Sequence, residues 1–353
     1  MSPNRLSTVG AAAPESAGGR CRLIASTVHG LERLAAAELA GRGHSVVSVR
    51  KRLILLASPH ALSLDRPRTV DDLLVHVAET TDPGPTKADL ARLRSWLHTV
   101  DLAAYRGGPV LSVSASIAGR RTYNRHDVEA VVGSVLAERL GARFASRDGG
   151  AKPPEGAVEW RVVLSADGLL LGLRGSRAPL HRRAWKVASI PGTLHPPVAA
   201  AMARLAGIEA GMTVLDPCCG AGTILREARE LATDADIIGS DLDPGALEAS
   251  ARNTRHLAGI ALARHDAARL RFPDRTVDRI VTNPAWGRQV TTRRPFPALL
   301  AEWRRVIAAH GKLVCLVPPE LLPRFDDGWT VTATHPLSLS GRHPLLVEAG
   351  PRG

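Results

Sequence analysis

The sequence predicts an α/β protein whose C-terminal part, residues 197–353, is a doubly wound parallel sheet behind two smaller α+β units. Three observations carry this. From residue 196 onward, short apolar runs alternate with amphipathic stretches, as strand–helix–strand crossovers require. Ahead of them, a mixed strand and helix pattern runs over residues 21–99 and restarts over 100–176. Between the two parts, "SRAPLHRRAWKVASIPGTLHPP" (176–197) is basic and Pro-rich without a period, so 177–196 reads as a linker.

Residues 1–20 read as a disordered tail. "CRLIAST" (21–27) is a strand, and "GLERLAAAELAGRG" (30–43) an amphipathic helix closed by Gly. "HSVVSVR", "RLILLA" and "LLVHVA" are further strands, and "KADLARLRSWL" (87–97) a second helix. The second unit opens with the alternating strand "PVLSVSASI" (109–117). A helix over 124–141 follows, capped by Asn124. "AVEWRVVLS" and "GLLLGLRG" then form a hairpin around "ADG". The C-terminal order is helix 196–207, strand "TVLDP", helix 222–232, strand "DIIGSDL", helix 244–257 and strand "IALARHD". Strand "VDRIVTNP", helix 296–309 and strand "KLVCLVP" close it.

Composition excludes several classes. At 353 residues, 44% hydrophobic and with a mean hydropathy of −0.03, the chain has ample material for globular cores. No apolar run approaches the roughly 18 residues of a membrane span. The first twenty residues lack the apolar stretch of a signal peptide. Four Cys (Cys21, Cys218, Cys219, Cys315) show neither a disulfide framework nor a zinc spacing. They read as reduced thiols of a cytoplasmic protein with no metal site. The formal net charge is +12. Residues 1–196 hold 27 basic and 17 acidic side chains, against 19 and 17 in the remainder. The positive field therefore belongs to the N-terminal half and suits a polyanion, most simply nucleic acid. A generally basic protein is the alternative.

In an open α/β sheet, ligands sit outside the carboxyl ends of the strands, and the informative loops all lie at that edge. "LDPCCGAGT" places Gly220 and Gly222 where the backbone turns sharply, and the helix start at Thr223 offers free N–H groups to a carboxylate. A dinucleotide fingerprint needs Gly or Ala at 225, which is Leu225. Asp241 ends the next strand, where a carboxylate takes ribose hydroxyls; Asp266 ends the third, placed to accept from an adenine amine. A structural turn and helix caps are the plainer readings of these residues. The fourth strand runs into "NPAWG" (283–287), a rigid loop with a Trp in a chain that is only 3% aromatic.

This order resembles the class I S-adenosylmethionine-dependent methyltransferases over residues 197–350. The resemblance implies S-adenosylmethionine as cofactor. Asp216, Gly220 and Gly222 would line its methionine part, Asp241 the ribose and Asp266 the adenine amine, with Asn283 bordering the site. "NPAW" resembles the Asn-Pro-Pro-aromatic motif of enzymes that methylate planar amines. Such an amine is a poor nucleophile because its lone pair is delocalised. The Asn283 side-chain oxygen and the Pro284 carbonyl can accept its protons and align it, and Trp286 can stack on its base. Ala285 stands where the family has a second Pro, which removes one constraint on the loop.

The N-terminal half narrows the substrate. "GLERLAAAELAGRGHSVV" resembles the ferredoxin-like unit (21–99) of THUMP-containing RNA methyltransferases, and "AGRRTYNRHDVEAVVGSVLAERLG" the THUMP core (100–176). "APLHRRAWKVASIPGTLHPPVAAAMARLAG" resembles that family's run into the catalytic domain. The resemblance implies methylation of guanine N2 in tRNA. Arg120, Arg121, Arg125, Arg182, Arg183 and Lys186 are the candidate phosphate contacts, with Arg288, Arg293 and Arg294 beside the active loop. A ribosomal RNA guanine, a DNA adenine N6 and a non-catalytic RNA-binding role are the alternatives.

Overall fold

Two sheets carry the chain in the computed structural model, which describes residues 21–59, 66–105, 108–176, 178–285 and 295–353. The tail at 1–20, Trp286, Arg288, Arg293 and Arg294 lie outside the described residues.

The first sheet contains β1 (Cys21–Ser26), β2 (Ser45–Arg50), β3 (Leu53–Ser58), β4 (Asp72–Thr80), β5 (Val110–Ile117), β6 (Arg143–Phe144), β7 (Val158–Ser165) and β8 (Gly168–Arg174). Their order is β2-β3-β1-β4-β8-β7-β5-β6. The strands before residue 81 and those after 109 thus join edge to edge through the antiparallel β4–β8 pair. Helices α1 (Glu32–Gly41), α2 (Leu90–Thr99) and α3 (Arg125–Leu140) share one core with a single face of this sheet. Leu39, Leu93 and Val132 are buried there against Leu23, Val113 and Trp160. Asn124 caps α3 as its residue type predicts: its side chain accepts from the N–H groups of His126 and Asp127.

The second sheet is built from β9 (Thr213–Asp216), β10 (Asp236–Asp241), β11 (Ile260–Arg264), β12 (Val277–Thr282), β13 (Ile307–Val317), β14 (Trp329–Pro336) and β15 (Leu345–Pro351). The order is β11-β10-β9-β12-β13-β15-β14. β9 to β13 are parallel, but β15 runs antiparallel to both β13 and β14. The parallel sheet expected from the sequence stands over β9 to β13, and β15 and β14 extend it with an antiparallel edge. "WTVTATHP" alternates with period two, as an antiparallel strand with one wet face does. Helices α4 (Pro196–Ala206), α5 (Thr223–Leu231) and α6 (Pro244–Thr254) precede β9, β10 and β11 in turn, and α7 (Phe296–Val306) precedes β13. α4 and α5 pack on one face through Met202, Ile224 and Ala228, and α7 on the other through Leu299 and Trp303. Strand order reverses between β9 and β12, which opens the crevice at their carboxyl ends.

The two sheets are joined by buried contacts. Val28 and Leu31 belong to the core around α4 and α5 rather than to that of their own sheet. Beside them Glu227 of α5, fully buried, accepts from Arg68 Nε at 2.5 Å and from Arg183 Nε at 3.0 Å.

Candidate active site

The site assembles at four strand ends. β9 ends at Asp216, β10 at Asp241 and β12 one residue before Asn283; Asp266 follows β11 by two residues. The turn after β9 explains its glycines. Gly222 has φ +73°, and a Cβ there would stand 2.3 Å from Ser250 Oγ on α6. The Leu225 that excluded a dinucleotide fingerprint is buried, and its Cδ1 lies 2.3 Å from where a Cβ on Gly239 would be. A long side chain on α5 thus packs over Gly239 of β10, where the dinucleotide fingerprint has a small residue for close helix–strand packing.

Asp241 is held against this turn. Its Oδ2 accepts from Gly220 N–H at 3.0 Å and its Oδ1 from Asp243 N–H at 3.0 Å. The helix cap is Asp243, whose side chain accepts from Gly245 N–H at 2.9 Å. Asp241 is therefore free of capping and sits half-exposed between the glycine turn and the crevice. Asp266 turns its own loop, accepting from Ala268 N–H at 3.0 Å. Asp241→Ala is expected to weaken S-adenosylmethionine binding by about 1.5–3 kcal/mol, the scale of a charged hydrogen bond. Calorimetry on the folded variant checks it; unchanged affinity would remove Asp241 from the site.

Asp216 lies beneath the surface of the site. It is 2% exposed, and its Oδ1 accepts both Thr282 Oγ1 at 2.8 Å and Cys218 N–H at 3.1 Å. It thereby ties the glycine turn to the last residue of β12, directly before Asn283. Burial pushes its carboxyl from 3.8 up to about 7, against those two hydrogen bonds. Across that window the folded chain holds a proton that the unfolded chain has lost. Stability therefore falls as pH rises from about 4 to about 7. Asp216→Asn keeps Oδ1 as acceptor and should flatten this slope. Urea unfolding of both chains at the two ends of the window tests it, and parallel slopes would contradict a protonated Asp216.

Asn283 Oδ1 is buried and has no hydrogen-bond partner among the described residues. An amide oxygen without a partner is costly unless a ligand supplies one. Pro284 behind it is buried and fixes the exit of the loop. The residues fit S-adenosylmethionine: a left-handed glycine turn that a side chain would block, a carboxylate fixed beside it, and, among the described residues, an orphaned acceptor just past the end of β12.

Two features escaped sequence reasoning. Asn253 of α6 is buried and makes four hydrogen bonds. Its Oδ1 accepts from Val187 and Ala188 N–H, both at 2.9 Å, and its Nδ2 donates to the carbonyls of Ala188 (3.0 Å) and Ala221 (2.8 Å). It pins the linker to the glycine turn, and its only signal is an Asn on a helix's apolar face. The other is Thr282, legible only once Asp216 is seen beneath it.

The candidate RNA contacts divide. Arg120, Arg125 and Arg182 are exposed. Arg121 is corrected to a brace: it pairs with Asp82 at 2.7 Å, and its side chain is 6% exposed. Arg183 is corrected likewise. Besides Glu227 it donates to the carbonyls of Leu180 and Arg68, both at 2.6 Å, and its side chain is only 9% exposed. Lys186 is half-buried and donates to the Leu194 carbonyl at 3.3 Å; burial lowers its pKa.

A parallel sheet with a glycine turn, an acidic second strand end and an Asn-Pro loop on the fourth defines the class I S-adenosylmethionine-dependent methyltransferases. Residues 183–321 match the RMKL-like methyltransferase domain. The tRNA (guanine(6)-N2)-methyltransferase of Thermus thermophilus is 31% identical over 254 residues, covering 69% of this chain and 70% of that protein. The U6 snRNA (guanine-N(2))-methyltransferase THUMPD2 of Bos taurus is 30% identical over 238 residues, 66% of this chain; the chain spans only 45% of that relative's length. The crystal structure of TrmN from Thermus thermophilus superposes with a TM-score of 0.76 at 26% identity, covering 94% of this chain and 99% of that one. The chain belongs to the RMKL-like methyltransferase family.

Proposed function

We propose that this protein transfers a methyl group from S-adenosylmethionine to the exocyclic N2 of guanine in RNA, with tRNA as the substrate. The observation that carries the reading is the buried Asn283 Oδ1 at the carboxyl end of β12, unpartnered among the described residues. When bound, S-adenosylmethionine supplies an electrophilic methyl that needs no further activation. The chain's task is to present the amine. Asn283 Oδ1 and the Pro284 carbonyl accept its two N–H groups, which draws electron density onto nitrogen and fixes its direction. Asp216 and Thr282 hold the end of β12 from below, so the acceptor is in place before the base arrives. Trp286, outside the described residues, is proposed as the face on which the flipped base stacks.

RNA rather than duplex DNA is supported by the positive N-terminal half and by the curated relatives named for tRNA and U6 snRNA guanines. No helix among the described residues is long and apolar enough to cross a membrane; the cytoplasm is the compartment proposed. The test offers tRNA, ribosomal RNA and duplex DNA to the purified chain with S-adenosylmethionine, followed by mass spectrometry of the nucleosides. N2-methylguanosine from tRNA is expected. N6-methyladenine in DNA, or no methyl transfer by a chain that binds the cofactor, would overturn the reading.

A further inference from the structure

A cavity of about 570 Å³ opens in the first sheet unit, on the side of β5 where it meets the turn before α3. Its walls include Ser114, Ser116, Asn124 and three arginines, Arg121, Arg125 and Arg161, and among the described residues no acidic one lines it. Arg161 was not among the candidates read from sequence, because it sits within the strand β7 rather than in a basic turn. It lies directly opposite Ser114 in the β5–β7 register and donates to Ser114 Oγ at 2.6 Å.

The three arginines differ in what they have left to give. Arg121 is occupied by Asp82, the Gly84 carbonyl and the Tyr123 hydroxyl. It shapes the wall without offering charge. Arg125 is exposed at the start of α3. Arg161 is half-buried, yet no carboxylate among the described residues forms an ion pair with it. The two acids that contribute to its field, Asp72 and Glu129, are already engaged. Asp72 is held by Arg174 at 2.7 Å; Glu129 accepts from Ala115 N–H at 2.8 Å and sits 3.0 Å from His126 Nδ1. A guanidinium withdrawn from water and lacking a counter-ion is unfavourable unless an anion completes it. A planar guanidinium beside hydroxyls, in a cavity that carries only positive charge, matches the oxygens of a phosphate group.

We propose that this cavity is a phosphate-binding site in which Arg161, with Arg125 at the rim and the Ser114 and Ser116 hydroxyls as neutral donors, seats one phosphate of the RNA substrate. The site deepens the RNA reading above and rests on it for the source of the phosphate. It also places one grip on the strand floor of the N-terminal half, away from the methyl-transfer crevice at the end of β12.

The test measures tRNA binding by the full chain across a salt series for wild type, Arg161→Gln, Arg161→Lys and Arg125→Gln, with S-adenosylmethionine affinity and thermal unfolding alongside. Loss of one phosphate contact should lower the slope of log affinity against log salt by roughly 0.7–0.9. Arg161→Gln should also weaken binding about ten- to a hundredfold, with Arg161→Lys retaining part of it and cofactor affinity unmoved. Arg125 is exposed and paired to no carboxylate among the described residues, so its variant reports on the site even if Arg161→Gln fails to fold. A folded Arg161→Gln with wild-type affinity and slope would overturn the site and leave the methyltransferase reading standing. A wild-type chain that binds no tRNA even at low salt would overturn both. In a parallel arm inorganic phosphate is titrated by calorimetry; tight binding lost in Arg161→Gln, with tRNA affinity and slope unchanged, would assign the cavity to a small anion and overturn the RNA assignment.

Discussion

Asn283→Ala lowers kcat about 10²–10³-fold while S-adenosylmethionine binding stays nearly intact, the cost of losing one preorganised polar contact at a reacting centre. The split follows from the geometry. In the proposed reading the glycine turn and Asp241 hold the cofactor, and the contacts of Asp241 to Gly220 and Asp243 do not involve Asn283. In the same proposed reading the Asn283 oxygen gains its partner only when the base amine arrives, so its contribution is made during methyl transfer rather than in binding the donor. Stability should change little, because among the described residues the side chain's oxygen supports nothing else. Single-turnover methylation of tRNA, run beside thermal unfolding and cofactor titration, separates the three quantities. Full activity in a well-folded Asn283→Ala would show that the loop after β12 is not the catalytic one.

Glu227→Gln destabilises the protein by about 3–5 kcal/mol, the scale for removing one partner of a buried ion pair. Glu227 is fully buried under Arg68 and Arg183, whose side chains are 17% and 9% exposed. The glutamine keeps shape and some hydrogen bonding but leaves Arg183 without its carboxylate and Arg68 with only Glu230, at 3.4 Å. The two arginines come from the first sheet unit and the linker, and Glu227 from α5, so the loss falls on the contact between the halves. Equilibrium urea unfolding reads the effect. Pairing the change with Arg183→Met in a double-mutant cycle isolates the coupling. A loss below about 1 kcal/mol, the scale of a surface pair, would show that the apolar contacts of Val28 and Leu31 hold the halves together without it.

What the sequence by itself determined is what short-range physics determines. Period-two and period-3.6 patterns place β9 to β13 and their helices within a few residues, because burial of one face is written into residue spacing. Gly220, Gly222, Asp241 and the Asn-Pro step are legible because chain conformation and strand-end position follow from residue type. The charge asymmetry is legible because net charge needs no coordinates. What the tertiary structure decided is which polar groups meet over long sequence separations. Asp216 and Thr282 are 66 residues apart, Arg183 and Glu227 are 44, and Val187 and Asn253 are 66. No local pattern encodes such pairings, since an arginine in a basic linker looks the same whether it faces RNA or a buried glutamate. Arg183 and Arg121 therefore moved from candidate RNA contacts to braces, and Arg161, unremarkable within its strand, proves to be a half-buried guanidinium with no ion-pair partner among the described residues. The sheet completes by the same logic: whether "WTVTATHP" and "LLVEAG" add to the parallel strands or run against them depends on where the chain returns, and that is fixed only when β15 pairs with β13.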